Sequence, residues 1–119
     1  MNRDTEQIER IIHYCDRISK YVERYGEDEE DFLENEEFQE GASFCLLQIG
    51  EAVGRLSIEV RMLNKDIEWS SIVGLRNVLA HKYEDAWMDE VWKTIIKDVP
   101  TFRDDCGSLL EILKKHTVG

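Results

Sequence analysis

Phe38-Gln39-Glu40-Gly41-Ala42-Ser43-Phe44-Cys45-Leu46-Leu47-Gln48-Ile49-Gly50-Glu51-Ala52-Val53-Gly54-Arg55-Leu56 is the stretch from which the architecture follows. Phe38, Ala42, Cys45, Ile49, Ala52, Val53 and Leu56 recur at intervals of three and four residues for over five turns, the period of a helix with one buried face. Asn35, just ahead of it, has the side chain of a helix cap. Gly41, Gly50 and Gly54 sit inside the pattern, where each glycine costs about 1 kcal/mol relative to alanine. At least one is therefore expected to permit a close helix contact, with Gly50, next to Glu51, the best placed. Glu51 is a candidate to hold Arg76 or a backbone donor.

Toward the N-terminus, the acidic connection from Glu27 carries Phe32 and Leu33, read as a hydrophobic staple. Before it, Ile8, Ile11, Ile12, Cys15, Ile18, Val22 and Tyr25 define a second buried stripe that Gly26 ends. That helix is predicted to begin at Asp4 or Thr5, with Gln7 as capping-box partner of Asp4, and His13 lies at the stripe's boundary. Toward the C-terminus, Arg55 to Lys65 mixes apolar and charged residues and fits either a continued or a separate short helix. Asn64-Lys65-Asp66 reads as a turn. Trp69, Ile72, Val73, Leu75 and Leu79 make a third helix whose last turn holds His81, and Glu84 and Asp85 break the pattern. Asp85 or Asp89 can cap a fourth helix containing Val91, Trp92, Ile95 and Ile96. Pro100 fits a first turn, and Phe102, Cys106, Leu109, Leu110 and Leu113 form a fifth. The fold class expected is all-α, an up-and-down bundle of four to five helices, with residues 1–119 as one domain.

Composition narrows the function. Forty-two per cent of the 119 residues are hydrophobic, with one proline and seven glycines, and no run of 18 apolar residues offers a membrane span. The N-terminus has no apolar signal region, so a cytoplasmic location and no membrane partner are expected. Cys15, Cys45 and Cys106 are odd in number and sit at apolar helix positions, the pattern of buried reduced thiols. The formal net charge of −11 argues against a general nucleic-acid binder, and no DNA partner is expected. The charge is uneven, however. Glu27 to Glu40 holds nine acidic residues and no basic one, a solvated surface or a dock for a basic partner. Arg55 to Lys82 holds five basic against three acidic residues, leaving room for RNA over a small contact area.

That locally positive region contains Gly74-Leu75-Arg76-Asn77-Val78-Leu79-Ala80-His81-Lys82-Tyr83. On a helix Asn77 and His81 share a face at i and i+4, whereas Arg76 and His81, five apart, are turned roughly 140° from each other. The guanidinium must reach around the helix or meet an imidazole from a second copy. Spacing alone favours an Arg76 helix salt bridge and a His81 that caps the helix end. The stretch resembles the HEPN superfamily, and its Arg-x4-His-x-Tyr form resembles the HepT-like toxins of the MntA–HepT type. Gln48-Ile49-Gly50-Glu51-Ala52, Ile67-Glu68-Trp69-Ser70-Ser71-Ile72 and the segments Val91-Trp92 to Asp98-Val99-Pro100 are similar to recurring segments of that family. The resemblance covers about residues 5 to 115, departing at Glu68, where a proline is usual.

The resemblance implies a HEPN-like bundle, a two-fold homodimer and a toxin ribonuclease, with Arg76, His81 and Asn77 catalytic and Glu51 and Lys82 supporting. It further implies a cognate MntA-like nucleotidyltransferase antitoxin that modifies Tyr83 with AMP. Chemistry agrees with the residue types. Metal-free RNA cleavage needs a base for the 2′-hydroxyl, an acid for the leaving 5′-oxygen and positive charge on the phosphorane. Histidine fills either proton role, and arginine binds phosphate with a planar fork. One chain supplies one such pair and a dimer supplies two. No His-Glu-x-x-His, Cys-x-x-Cys or glycine-rich phosphate loop occurs, so no metal and no cofactor are expected. A competing expectation is a catalytically inactive HEPN subunit that dimerises and docks a nucleotidyltransferase.

Overall fold

The first apolar stripe becomes α1, Asn2–Tyr25, which buries Ile8, Ile11, Cys15 and Ile18. Its end is set by Gly26, whose φ of 124° is a conformation that side-chain-bearing residues rarely adopt. The protein is seen here as a computed structural model, which describes the backbone of residues 2–81 and 88–117 and the side chains of residues 3–74, 79 and 88–115. Short α2, Glu29–Leu33, leads into α3, Glu36–Gly54, and Asn35 caps α3 as expected, its Oδ1 accepting from the Phe38 N–H at 3.0 Å. There follow α4, Ile58–Met62, α5, Trp69–His81, α6, Met88–Lys93, and α7, Val99–Thr117. The all-α bundle expected from the sequence is present. Its long members are α1, α3, α5 and α7, and α3 is the hub, packing on both α1 and α5 while α7 packs on α1.

Two local readings change in the tertiary structure. Asp4 does not start α1; it lies in the first turn and is buried, its carboxylate accepting from Ser57 N–H and Ser57 Oγ, both at 2.8 Å. Ser57 in turn accepts from the Val60 N–H, so one helix supplies the support for another's cap. Phe32 is no staple beside Leu33. Leu33 is largely exposed, whereas Phe32 plugs an aromatic cluster with Phe38 and Trp92, at ring separations of 4.9 and 5.4 Å. The expectation that at least one glycine of α3 permits a close helix contact holds at Gly41, where an added Cβ would lie 2.5 Å from the Tyr21 ring of α1.

The ambiguous stretch after Leu56 resolves as the separate helix α4, and Asn64 closes the expected turn by accepting from the Asp66 N–H at 3.0 Å. Between α6 and α7 the chain keeps turning through a π-helical segment, Thr94–Asp98, in which the Val99 N–H reaches back five residues to the Thr94 carbonyl. Pro100 lacks an N–H and would crowd the carbonyl four residues earlier in a regular helix; the wider turn immediately before it relieves that conflict. The three cysteines are free, buried and drawn from α1, α3 and α7. Burial, then the charge of Asp16, pushes the Cys15 thiol up to about 12. Cys45 and Cys106 are pushed up chiefly by burial as well. They are inert thiols at neutral pH.

Candidate active site

The candidate site is carried by α5, which is locked in place at its N-terminal end. The Trp69 indole N–H donates to the Arg61 carbonyl at 3.1 Å, and its ring meets Phe102 of α7 edge-on at 5.8 Å. Arg61 itself donates from Nη2 at 2.7 Å to the Val53 carbonyl, which also accepts from the Leu56 N–H at 3.1 Å at the end of α3. The ends of α3, α4 and α5 thus form one knot. It holds the start of α5 against α3, α4 and α7. Arg61 and Ser57 were not singled out from the sequence. Ser57 ahead of Ile58 was a legible cap signal, whereas the Arg61 contact depends on how α4 folds back.

Along α5, Trp69 and Leu79 are buried and Ile72 and Val73 half-buried, which defines the face that packs inward. In the sequence Arg76 stands four residues after Ile72 and three before Leu79, and Asn77 and His81 are about one turn apart along α5. His81 is the last residue of α5. The side chains of Arg76, Asn77 and His81 lie outside the described residues, as do Lys82 and Tyr83 altogether. Glu51 is half-buried near the C-terminal end of α3, the helix against which α5 packs. Expected Asp85 also falls outside the described residues, while Asp89, in the first turn of α6, accepts from the Glu90 N–H at 2.9 Å.

A groove of about 740 Å³ lies beside the start of α5 and is lined by Glu68, Glu90, Asp98 and Asp105, with Lys97 among its other residues. Its acidic wall repels phosphate, so it is not where this chain would hold RNA.

Comparison with known proteins decides the family. Residues 11–109 match the family described as Ribonuclease HepT-like. The chain belongs to that family. A relative from Caldanaerobacter subterraneus subsp. tengcongensis, named "Putative RNase", is 29% identical over 104 residues, covering 87% of this chain and 91% of the relative. "Probable ribonuclease HepT" of Thermococcus cleftensis is 30% identical over 74 residues, 62% of this chain and 67% of that protein. A two-part protein of Methanocaldococcus jannaschii, named "Gamma-glutamylcyclotransferase and putative RNase", is 28% identical over 117 residues, 98% of this chain but 52% of its own length. No solved structure matches the chain. Membership of the HepT-like family, together with relatives named as ribonucleases, supports a ribonuclease, with RNA as the substrate class. Among the described residues no helix is long and apolar enough to cross a membrane.

Proposed function

We propose that this chain is a metal-independent endoribonuclease of the toxin type, with Arg76 and His81 as its catalytic pair. The observation that carries the reading is the intact Arg76-Asn77-x3-His81-x-Tyr83 motif, whose residues Arg76 to His81 belong to α5, in a chain of the HepT-like ribonuclease family. Arg76 and His81 diverge around α5, so the reading assembles the site at a two-fold axis where two copies contribute. Ile58, Met62 and Leu63 support a self-association surface, since all three are exposed on or just after α4, the element preceding α5. One His81 takes the proton from the 2′-hydroxyl as that oxygen bonds to phosphorus. The other gives a proton to the 5′-oxygen as its bond to phosphorus breaks. The products are a 2′,3′-cyclic phosphate and a 5′-hydroxyl. Arg76 holds the negative phosphorane, Glu51 of α3 holds Arg76 in place, Asn77 orients His81 or a phosphate, and Lys82 adds charge beside the site.

In the same reading a nucleotidyltransferase antitoxin silences the toxin by adding AMP to Tyr83. Each unit brings roughly one negative charge to a position two residues from His81, where the RNA phosphate must sit. The deciding assay is RNA digestion by antitoxin-free protein. Wild type should cleave with EDTA present and leave cyclic-phosphate ends, while His81→Ala and Arg76→Ala, folded by circular dichroism, should lose at least about a hundredfold in rate. Asn77→Ala should lose less. Cleavage that stops with EDTA and returns with magnesium would overturn the metal-free mechanism, and a wild type that leaves RNA intact would favour an inactive docking subunit.

A further inference from the structure

The outer face of α1 carries a row of cations that the catalytic reading does not use. Arg10, Arg17 and Arg24 recur every seven residues, with His13 and Lys20 beside them, and all five are exposed. The heptad spacing keeps the three arginines on nearly one line, opposite the stripe of Ile8, Ile11, Cys15 and Ile18, over about 21 Å of helix. The acids of the same stretch, Glu9, Asp16 and Glu23, repeat with the same period one position earlier and so form a separate row. Asp16 is drawn toward α7, accepting from Arg103 Nε at 3.0 Å. Among the described residues no ion pair engages Arg10, Arg17, Lys20 or Arg24. His13, Arg17, Lys20 and Arg24, with Asp16 and Tyr21, line a cleft of about 440 Å³.

An exposed charged stripe is ordinarily just a solvated helix face. Two observations set this one apart. It lies in a protein of net charge −11, where an aligned set of cations without a carboxylate partner among the described residues runs against the overall balance, although Arg17 also meets Tyr21 and Cys45 and Arg24 lies over the Tyr25 ring at 5.5 Å. Aromatic rings run along its edge. Tyr14, placed between Arg10 and Arg17 at helical spacing, meets His13 edge-on at 5.0 Å and Phe44 of α3 at 6.1 Å. Phe44 is 52% exposed, an unusual position for a phenylalanine that fills no core gap. Cations that track a backbone, flanked by rings that stack on bases, are what single-stranded nucleic acid recognition requires.

We propose that the outer face of α1 is a binding track for single-stranded RNA. Arg10, Arg17, Lys20 and Arg24 take successive phosphates, and the Tyr14–Phe44 pair offers a ring to a base. The choice of RNA as the polyanion rests on the ribonuclease reading. The hub helix α3 lies against both α1 and α5, so the track is an outlying subsite that holds substrate away from the Arg76–His81 motif.

Binding of a labelled, unstructured RNA of about a dozen nucleotides tests this, with His81→Ala as the parent so that RNA stays intact. Combined Arg10→Gln, Arg17→Gln, Lys20→Gln and Arg24→Gln should weaken binding about a hundredfold at low salt. The slope of log K against log salt should become shallower by about 3, from four phosphate contacts at about 0.7 each on a single strand. Phe44→Ala should weaken binding about tenfold and leave the slope alone, since stacking releases no counterions. Affinity and slope unchanged in both variants would overturn the track; so would a fourfold variant that binds RNA normally but falls out of a protein complex in sedimentation, because the face would then serve an acidic protein surface. Cleavage by protein with His81 intact reads the ribonuclease function separately. RNA binding that depends on the track without any cleavage would remove that function and leave the track standing.

Discussion

Cys15 shows how one residue's surroundings become a measurable property of the whole chain. Its thiol is held protonated up to about 12 by burial and by Asp16, against 9.0 for the free group. The folded state therefore keeps a proton that the unfolded state gives up above pH 9, so the contribution is fully present below that pH and is lost as pH rises toward 12. Stability should fall by up to about 1.4 kcal/mol per pH unit from this group. Urea unfolding of wild type and Cys15→Ala at pH 8 and pH 10.5 checks it, because lysines and tyrosines titrate alike in both; parallel pH profiles would refute the assignment. Tyr83 belongs to the same scale. In the proposed control step Tyr83→Phe should remain active, since the phenol takes no part in proton transfer, and should gain no mass from antitoxin and ATP. Equal mass gain in wild type and Tyr83→Phe would place the modification elsewhere.

The element whose spacing sets the bundle is α3, and its glycines are not equivalent. Gly41 faces Tyr21 so closely that a methyl group would meet the ring at 2.5 Å and the hydroxyl oxygen at 2.8 Å, whereas Gly54 has nothing within 4 Å of the same added atom. Gly41→Ala should therefore destabilise by about 1–3 kcal/mol through overpacking. Gly54→Ala should be neutral or stabilise by up to about 1 kcal/mol through helix propensity. Denaturation midpoints of the two variants should move in opposite directions or differ clearly in size; equal shifts would mean that α1 and α3 separate freely at Tyr21. A sequence shows which glycines interrupt a helix, but the facing residue that makes one of them necessary comes from another helix.

At the scale of the molecule, the proposed two-fold dimer draws on the apolar side chains that the chain leaves outside. Ile58 is 75% exposed and Met62 55%, on a five-residue helix that has few other ways to bury them. Wild type should sediment as a dimer at micromolar concentration, and Ile58→Asp with Leu63→Asp should yield a folded monomer with little ribonuclease activity. A monomeric wild type would end the shared-site mechanism, because one chain carries a single His81 for two proton transfers.

What the sequence determined by itself is periodic or local. The stripes of α1, α3, α5 and α7 follow from a repeat of 3.6, the stop at Gly26 and the Asn35 cap from a single residue's stereochemistry, and the Arg76 to Tyr83 motif from residue type and spacing. The heptad row of cations on α1 was equally legible, but charge counted along the chain averages it away and only a helical register shows it. Pairings between distant residues belonged to the tertiary structure. Asp4 pairs with Ser57 across 53 residues and Arg103 with Asp16 across 87, and Phe32 joins Phe38 and Trp92. Each depends on which helices come to lie side by side, a choice made by packing the whole apolar set at once, which no window of sequence contains.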